Sequence, residues 1–329
     1  MIKSCVIGLS KVGIIHCKSL IKIKKTSLNY IFDKNYNLSK RLSKKFKCNT
    51  SRNFDSILKK KDIELFIIAS PTNTHDFYIK KLIKFKKMIY CEKPITNNNK
   101  SLNKLKYLIK KHKIKFCAGL NRRFSKEYVA LKKKINKKKV NYIQIISRSA
   151  NHNINLSIRN GGLFFDKGFH FFDLACWLSN SKPEKMIVIS KSISSEDFLN
   201  NGDFSDAIIN LKLRNGIVVE IVFSRKCRFG NFEKIKVYGE KFSLDSDDFS
   251  DKKTLYDDFS VRHRKSYLNC LKKFIESKNN LLMNEAILTQ KICADALKKA
   301  RYQYYKYLLK ALLASIDEEI SVLNVFKID

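Results

Sequence analysis

Ile2-Lys3-Ser4-Cys5-Val6-Ile7-Gly8-Leu9-Ser10-Lys11-Val12-Gly13 is the stretch that decides the fold. The apolar run over residues 2–8 reads as a strand, and a helical pattern follows over 12–24. Between them Gly8, Ser10 and Gly13 stand at G-x-G-x-x-G spacing, with serine in the middle position. That spacing calls for a tight turn at Gly8, close approach of the backbone to a pyrophosphate near Ser10, and close helix packing at Gly13. Two of the three needs are met, and Ser10 adds a small side chain where backbone and phosphate would meet. Taken alone, the loop is also what a pair of turn glycines would look like. Asp33 adds to it, because it ends the second strand-like run (28–33), 20 residues after Gly13. A carboxylate there binds ribose hydroxyls and repels the additional phosphate of NADP. The loop, Val12 included, therefore predicts NAD as cofactor, with Lys34 beside Asp33 keeping NADP as the less favoured choice.

Working outward, strands and helices alternate through residue 120. A helix is expected from Leu38 to Phe46, a buried strand over 63–70, a helix over 75–86 and a strand over 88–94 (Met88-Ile89-Tyr90-Cys91-Glu92-Lys93-Pro94). A helix over 98–113 and a strand at 115–120 complete the series. Continuous apolar strands that alternate with helices imply an α/β domain built on a parallel, doubly wound sheet. After Asn121 the pattern changes. Strand-like stretches at 140–149, 185–193, 205–213, 216–224 and 233–239 follow one another with few helices between, and Asn215-Gly216 is a hairpin signal. Helices are expected at 162–179, 260–277 and 284–313, and the acidic stretch 245–258 (Asp245, Asp247, Asp248, Asp251) as a surface loop. Two domains follow: 1–120 for the cofactor, and 121–329 as an α+β domain with a large, mostly antiparallel open sheet. No internal repeat is visible.

The chain carries 67 Lys plus Arg against 30 Asp plus Glu, a net charge of +37. Such a balance suits a polyanion partner. Only 12 of the 67 are Arg, however, and the lysines are spread along the chain rather than gathered in one tail or helix. The excess therefore reads as solvated faces, with no specific nucleic-acid partner. Nine cysteines with no C-x-x-C pair suit reduced thiols and a cytoplasmic protein. No run approaches the roughly 18 apolar residues of a membrane span. The chain opens directly into a strand, so no signal peptide is expected.

Three further motifs carry chemistry. Ser70-Pro71-Thr72-Asn73-Thr74-His75 leaves the third strand at the carboxyl edge that lines a cofactor crevice, although a histidine there is commonly a helix-start residue. Cys91-Glu92-Lys93-Pro94 brings an ammonium to the same edge, where it can hydrogen-bond a substrate hydroxyl and stabilise a developing alkoxide. Gly161-Gly162-Leu163-Phe164-Phe165-Asp166-Lys167-Gly168-Phe169-His170-Phe171-Phe172-Asp173 supplies a partner. Asp166 and His170 lie four apart and share a face if the stretch is helical, and Asp173 could join them. A carboxylate that orients an imidazole makes a general base for an alcohol proton. The plainer alternative is a buried histidine with Asp166 as a helix cap. These mixed ligands make a poor metal site, and none is expected.

The glycine loop, S-P-T-x-x-H, E-K-P and D-x-x-x-H-x-x-D, in this order, resemble the glucose-fructose oxidoreductase / inositol dehydrogenase / MocA-type family over roughly residues 3–300. Asn121-Arg122-Arg123-Phe124, Ser147-Arg148, Gly161-Gly162-Leu163-Phe164, Ser224-Arg225, the stretch 229–242, and Phe259, Arg262 and Tyr267 are similar to its inositol 2-dehydrogenase branch. The resemblance implies a Rossmann domain, an open sheet that mediates homo-oligomerisation (dimer or tetramer), and NAD. It implies Lys93, Asp166 and His170 as catalytic residues and Arg122 on the substrate side. Gly8, Ser10, Val12, Gly13, Asp33, Ser70, Thr72, His75, Glu92 and Lys93 would contact the cofactor. The implied activity is oxidation of myo-inositol to the 2-keto ring. A related sugar or sugar-nucleotide dehydrogenase, a silent NAD-binding protein and a polyanion binder remain as alternatives. The chain departs from the family at Ser10, at Phe171, at Ser149-Ala150 where Asp-Pro is common, and in a longer apolar tail after about Tyr302.

Overall fold

The computed structural model describes residues 1–96, 98–149, 157, 160–192, 202–225, 227, 230–251 and 257–325. Two six-stranded sheets organise them. The first contains β1 (Ile2–Ile7), β2 (Thr26–Phe32), β3 (Asn49–Thr50), β4 (Ile63–Ile68), β5 (Met88–Cys91) and β6 (Phe116–Ala118). Their order is β3-β2-β1-β4-β5-β6, and all pairings are parallel. The order reverses at β1, so the crevice beyond its carboxyl end is the place where a ligand fits such a sheet. Helices α1 (Lys11–Lys22), α2 (Tyr36–Phe46), α3 (Phe54–Leu58), α4 (Thr72–Lys84) and α5 (Asn99–Lys111) make the crossovers. Their starts are written in local chemistry. Asn35, Asn53 and Asn98 each accept a backbone N–H of the first turn, satisfying donors that a helix end leaves open. The helix expected at 75–86 begins earlier, at Thr72, directly after Pro71.

A 3₁₀ turn (Asn121–Phe124) and α6 (Lys126–Ile135) lead to the second sheet. It contains β7 (Val140–Arg148), β8 (Pro183–Lys191), β9 (Asp206–Leu213), β10 (Val218–Ser224), β11 (Phe232–Gly239) and β12 (Phe242–Asp245), in the order β12-β11-β7-β10-β9-β8. Only β7 and β10 pair in parallel, and the rest are antiparallel. The expected hairpin joins β9 to β10, with Gly216 at φ +85°, a left-handed position that suits glycine. The period-2 pattern buries Ile143, Ile145, Ile209, Leu211, Val219, Ile221, Ile235 and Val237 on one face. Ile187, Ile189, Ile208 and Val218 stand exposed on the other strand positions.

The stretch expected as one helix over 162–179 is a π-helical turn (Phe164–Gly168) that runs into α7 (Phe169–Ser179). The acidic stretch is partly ordered rather than a free loop. Asp245 ends β12, Ser246–Phe249 forms a 3₁₀ turn, and Lys234 pairs with Asp245 at 2.8 Å and Asp247 at 3.1 Å. Residues 252–256 lie outside the described set. The chain then returns to the first sheet. After α8 (Phe259–Arg262), α9 (Arg264–Glu276) buries Cys270, Leu271, Phe274 and Ile275 in one cluster with Val6, Leu65, Tyr90 and Cys117. Finally α10 (Met283–Val325) runs well past the expected end at 313, because no Gly or Pro interrupts it. Its first half packs through Ala286, Ile287, Ile292, Cys293, Ala296 and Ala300, whereas Tyr302, Tyr305, Tyr307, Leu309 and Leu312 are exposed.

Candidate active site

The glycine loop meets the steric demands read from its spacing. Gly8 has φ +87°, and a Cβ there would lie 2.4 Å from the Ser70 nitrogen, so β1 and β4 approach too closely for any side chain. A Cβ on Gly13 would lie 1.9 Å from the Gly8 carbonyl, which presses α1 onto the strand end. Ser10 is the N-cap residue of α1, is exposed, and makes no side-chain cap hydrogen bond. The opening N–H groups of that helix thus face outward without a carboxylate in the first turn, an arrangement that suits an anion. Val12 is half-buried beside them. Asp33 ends the adjacent strand, accepting the Leu9 N–H at 2.8 Å and the Asn35 N–H at 2.9 Å. Each carboxylate oxygen keeps a further lone pair for a ribose hydroxyl. These residues fit a dinucleotide.

At the end of β4 the Ser70 hydroxyl bonds that of Thr74 at 2.7 Å, and Thr72 is buried at the start of α4. His75 is turned inward. Its Nδ1 lies 2.9 Å from the Pro94 carbonyl and its Nε2 2.8 Å from the Ser70 carbonyl. Burial lowers its pKa against the pull of both carbonyls, and a neutral ring donates to one of them. His75 therefore clasps two loops together. Glu92 is likewise engaged within the protein, with one oxygen 2.7 Å from Nε2 of His16 on α1 and its carboxylate against Gly119. His16 packs edge-on to Tyr90 and to Tyr267 of α9.

Lys93 precedes a cis proline and crosses to the second domain. Its ammonium donates to the Asp166 carbonyl at 2.6 Å and lies 3.7 Å from Oδ1 of that residue. Lys93 is 13% exposed and Asp166 20%, so both are largely buried yet keep some contact with solvent. The π-turn places Asp166 one wide turn before His170 instead of on a plain i,i+4 face. Among the described residues, Nδ1 of His170 is buried without a hydrogen-bond partner. Burial, the Lys93 charge and then Arg122 hold the His170 pKa well below its ordinary value, so its ring is neutral near neutral pH. Asp173 does not join this group. It forms a two-pronged ion pair with Arg123, at 2.8 and 2.6 Å, and is 1% exposed.

Arg122 enters from the 3₁₀ turn and donates from Nη2 to Glu233 of β11 at 3.1 Å. Sequence reading did not single out Glu233, yet it is the hub of this side. It also accepts from the Tyr128 hydroxyl at 3.3 Å and lies 2.9 Å from Nε2 of His263. Burial pushes Glu233 up, but Arg122 and His263 overcome it and hold the carboxyl well below its usual range. Burial, then Arg122, lowers His263 to about 4, so that ring is neutral. The hydrogen bonds then assign its tautomer, with Ser125 donating to Nδ1 and Nε2–H donating to Glu233. Only a long-range charge pattern could have revealed Glu233, since it sits 111 residues from Arg122.

Fold and site together define a two-domain dinucleotide-dependent oxidoreductase. The model of an oxidoreductase family with an NAD-binding Rossmann fold matches residues 2–120, and the GFO/IDH/MocA C-terminal domain model matches 140–245. The chain belongs to the GFO/IDH/MocA family. It is 26% identical to myo-inositol 2-dehydrogenase of Thermotoga maritima, over 83% of this chain and 86% of that protein. It is 24% identical to inositol 2-dehydrogenase of Rhizobium meliloti, over 82% and 86% respectively. In fold it resembles a putative myo-inositol dehydrogenase of Sinorhizobium meliloti, with TM-score 0.87, 22% identity, and coverage of 92% of this chain and 98% of that one. It also resembles the scyllo-inositol dehydrogenase of Lactobacillus casei solved with NAD(H) and scyllo-inositol, with TM-score 0.82, 19% identity, and coverage of 91% and 96%.

Proposed function

We propose that this protein oxidises a secondary hydroxyl of a ring polyol with NAD, myo-inositol giving the 2-keto ring, and that Lys93, Asp166 and His170 carry the reaction. The observation that carries this reading is the meeting of Lys93 from the first domain with Asp166 from the second, beside a buried neutral imidazole. A substrate hydroxyl placed there receives a hydrogen bond from the Lys93 ammonium, which lowers the cost of alkoxide character on that oxygen. His170 takes the hydroxyl proton as general base. Its depressed pKa reflects burial beside Lys93. The developing alkoxide offsets that positive charge and favours protonation of the ring as the reaction proceeds. Asp166 holds the ammonium and balances the imidazolium. NAD held by Gly8, Gly13, the start of α1 and Asp33 would supply the acceptor for the hydride of the carbinol carbon. The names of the relatives from Thermotoga maritima and Rhizobium meliloti support an inositol as the ring.

A homo-oligomer is part of this reading. Ile187, Ile189, Ile208 and Val218 form an apolar outer strip on the second sheet, and a second copy would cover it. A cytoplasmic setting suits nine free cysteines. No helix among the described residues is long and apolar enough to cross a membrane. The test is NADH formation by the purified chain with NAD and, separately, myo-inositol, scyllo-inositol, glucose and xylose. Turnover of an inositol well above the aldoses is the expected result. Measurable NADH binding with no turnover of any ring alcohol would sink the enzymatic reading and favour a silent NAD-binding protein.

A further inference from the structure

Lys167 directly follows Asp166 and has no part in the reaction described above. Its ammonium donates to the Ser149 hydroxyl at 3.3 Å and to the Ser224 carbonyl at 3.2 Å. Both acceptors are neutral, and both lie where β7 and β10 end side by side. Lys167 forms no ion pair with a carboxylate among the described residues, although Asp166 precedes it and Glu233 sits on the neighbouring β11. An ammonium has three donors, so one is left over. Arg122, 4% exposed, spends Nη2 on Glu233, while its Nε and Nη1 are buried without a partner among the described residues. Among the described residues at the two strand ends, 147–149, 224, 225 and 227, none is Asp or Glu.

A buried cation with neutral partners is costly to keep. Lys167 is such a cation, and Arg122, although paired with Glu233, keeps two buried donors unused; together they point to a negative charge that arrives with the substrate. We propose that Lys167 determines specificity, and that the ring alcohol oxidised here carries an anionic substituent, a carboxylate or a phosphate, received by Lys167 with Arg122. This rests on the ring-alcohol dehydrogenase reading and narrows its substrate class. Burial holds the Lys167 ammonium to about 7, so it is incompletely charged near neutral pH, and a bound anion would restore its proton. The anionic group takes no part in bond breaking. It anchors the ring while Lys93 and His170 address the hydroxyl.

The test compares kcat/KM with NAD for myo-inositol, an inositol monophosphate and a hexuronate, in the wild-type chain, Lys167→Met and Lys167→Arg. Wild type should favour one of the two anions over myo-inositol by at least about thirtyfold, the scale of one desolvated charge pair. Which anion wins separates phosphate from carboxylate. Lys167→Met should lower that preference by a similar factor, mostly through KM, and Lys167→Arg should retain most of it. Preference for myo-inositol in wild type, or an unchanged preference in Lys167→Met, overturns the inference while the dehydrogenase reading stands. Turnover of none of the three, with NADH still bound, removes the dehydrogenase reading and this inference with it.

Discussion

Replacing Lys167 by Met should make the protein more stable. The lysine's ordinary value of 10.5 falls to about 7 in the fold, chiefly through burial. At pH 7 that difference costs the folded state about 4 kcal/mol, because the unfolded chain keeps a proton that the folded one half releases. Methionine occupies nearly the same stem, so little packing is lost. The change leaves the Ser149 hydroxyl and the Ser224 carbonyl without their donor, which costs about 1 kcal/mol each. Lys167 is also only half-buried along its length, which trims the gain further. The net expectation is about 2 kcal/mol of stabilisation at pH 7. The sign carries a pH signature. A lysine whose folded pKa is depressed withholds stability below that pKa and returns it as pH rises toward 10.5. The advantage of the Met variant should therefore shrink steadily above pH 7, falling to near zero or below by about pH 10. Thermal melts and urea titrations of both proteins across that range measure it. A Met variant that melts lower than wild type near neutral pH, or a gap that stays constant with pH, would refute the premise that Lys167 is a poorly compensated buried cation.

His170→Ala should reduce turnover by at least about a hundredfold while NADH fluorescence titration shows binding intact, the usual scale for a lost general base. Unchanged kcat would take His170 out of the reaction. Asp33→Ser should erode the preference for NAD over NADP by roughly tenfold or more, since it removes the carboxylate that repels the additional phosphate. A preserved ratio of kcat/KM for the two cofactors would mean that Asp33 only braces Leu9. His263 is held to about 4 against 6.5 unfolded, so its contribution is complete above 6.5 and drains as pH falls toward 4. That residue alone should cost about 2 kcal/mol between pH 7 and pH 5. The slope should flatten in His263→Phe, and an equal slope in both proteins would count against a neutral His263.

The sequence by itself determined the architecture and most of the chemistry at the crevice. Apolar periodicity gave the alternation through β6 and the change of pattern after Asn121, because burial on two faces or one is written in local spacing. Gly8, Gly13 and Asp33 were legible for the same reason, since a tight turn, a close helix and a strand-end carboxylate are requirements of adjacent residues. Asn215-Gly216 was legible because a two-sided hairpin needs a left-handed turn. What tertiary structure decided are the pairings that no local rule expresses. The π-turn changed how Asp166 and His170 face each other, and Asp173 turned away to Arg123 because a buried carboxylate needs a charged partner. His75 and Glu92, read as cofactor contacts, also bond within the protein, to Pro94 and to His16 from other elements, pairings that local spacing does not express. Glu233 gathered Arg122, Tyr128 and His263 from three separate elements, and Lys167 was left with two neutral acceptors. Composition recorded Lys167 as one lysine among many. Its meaning comes from burial, which raises the cost of a charge according to what surrounds it in space and not to what precedes it in the chain.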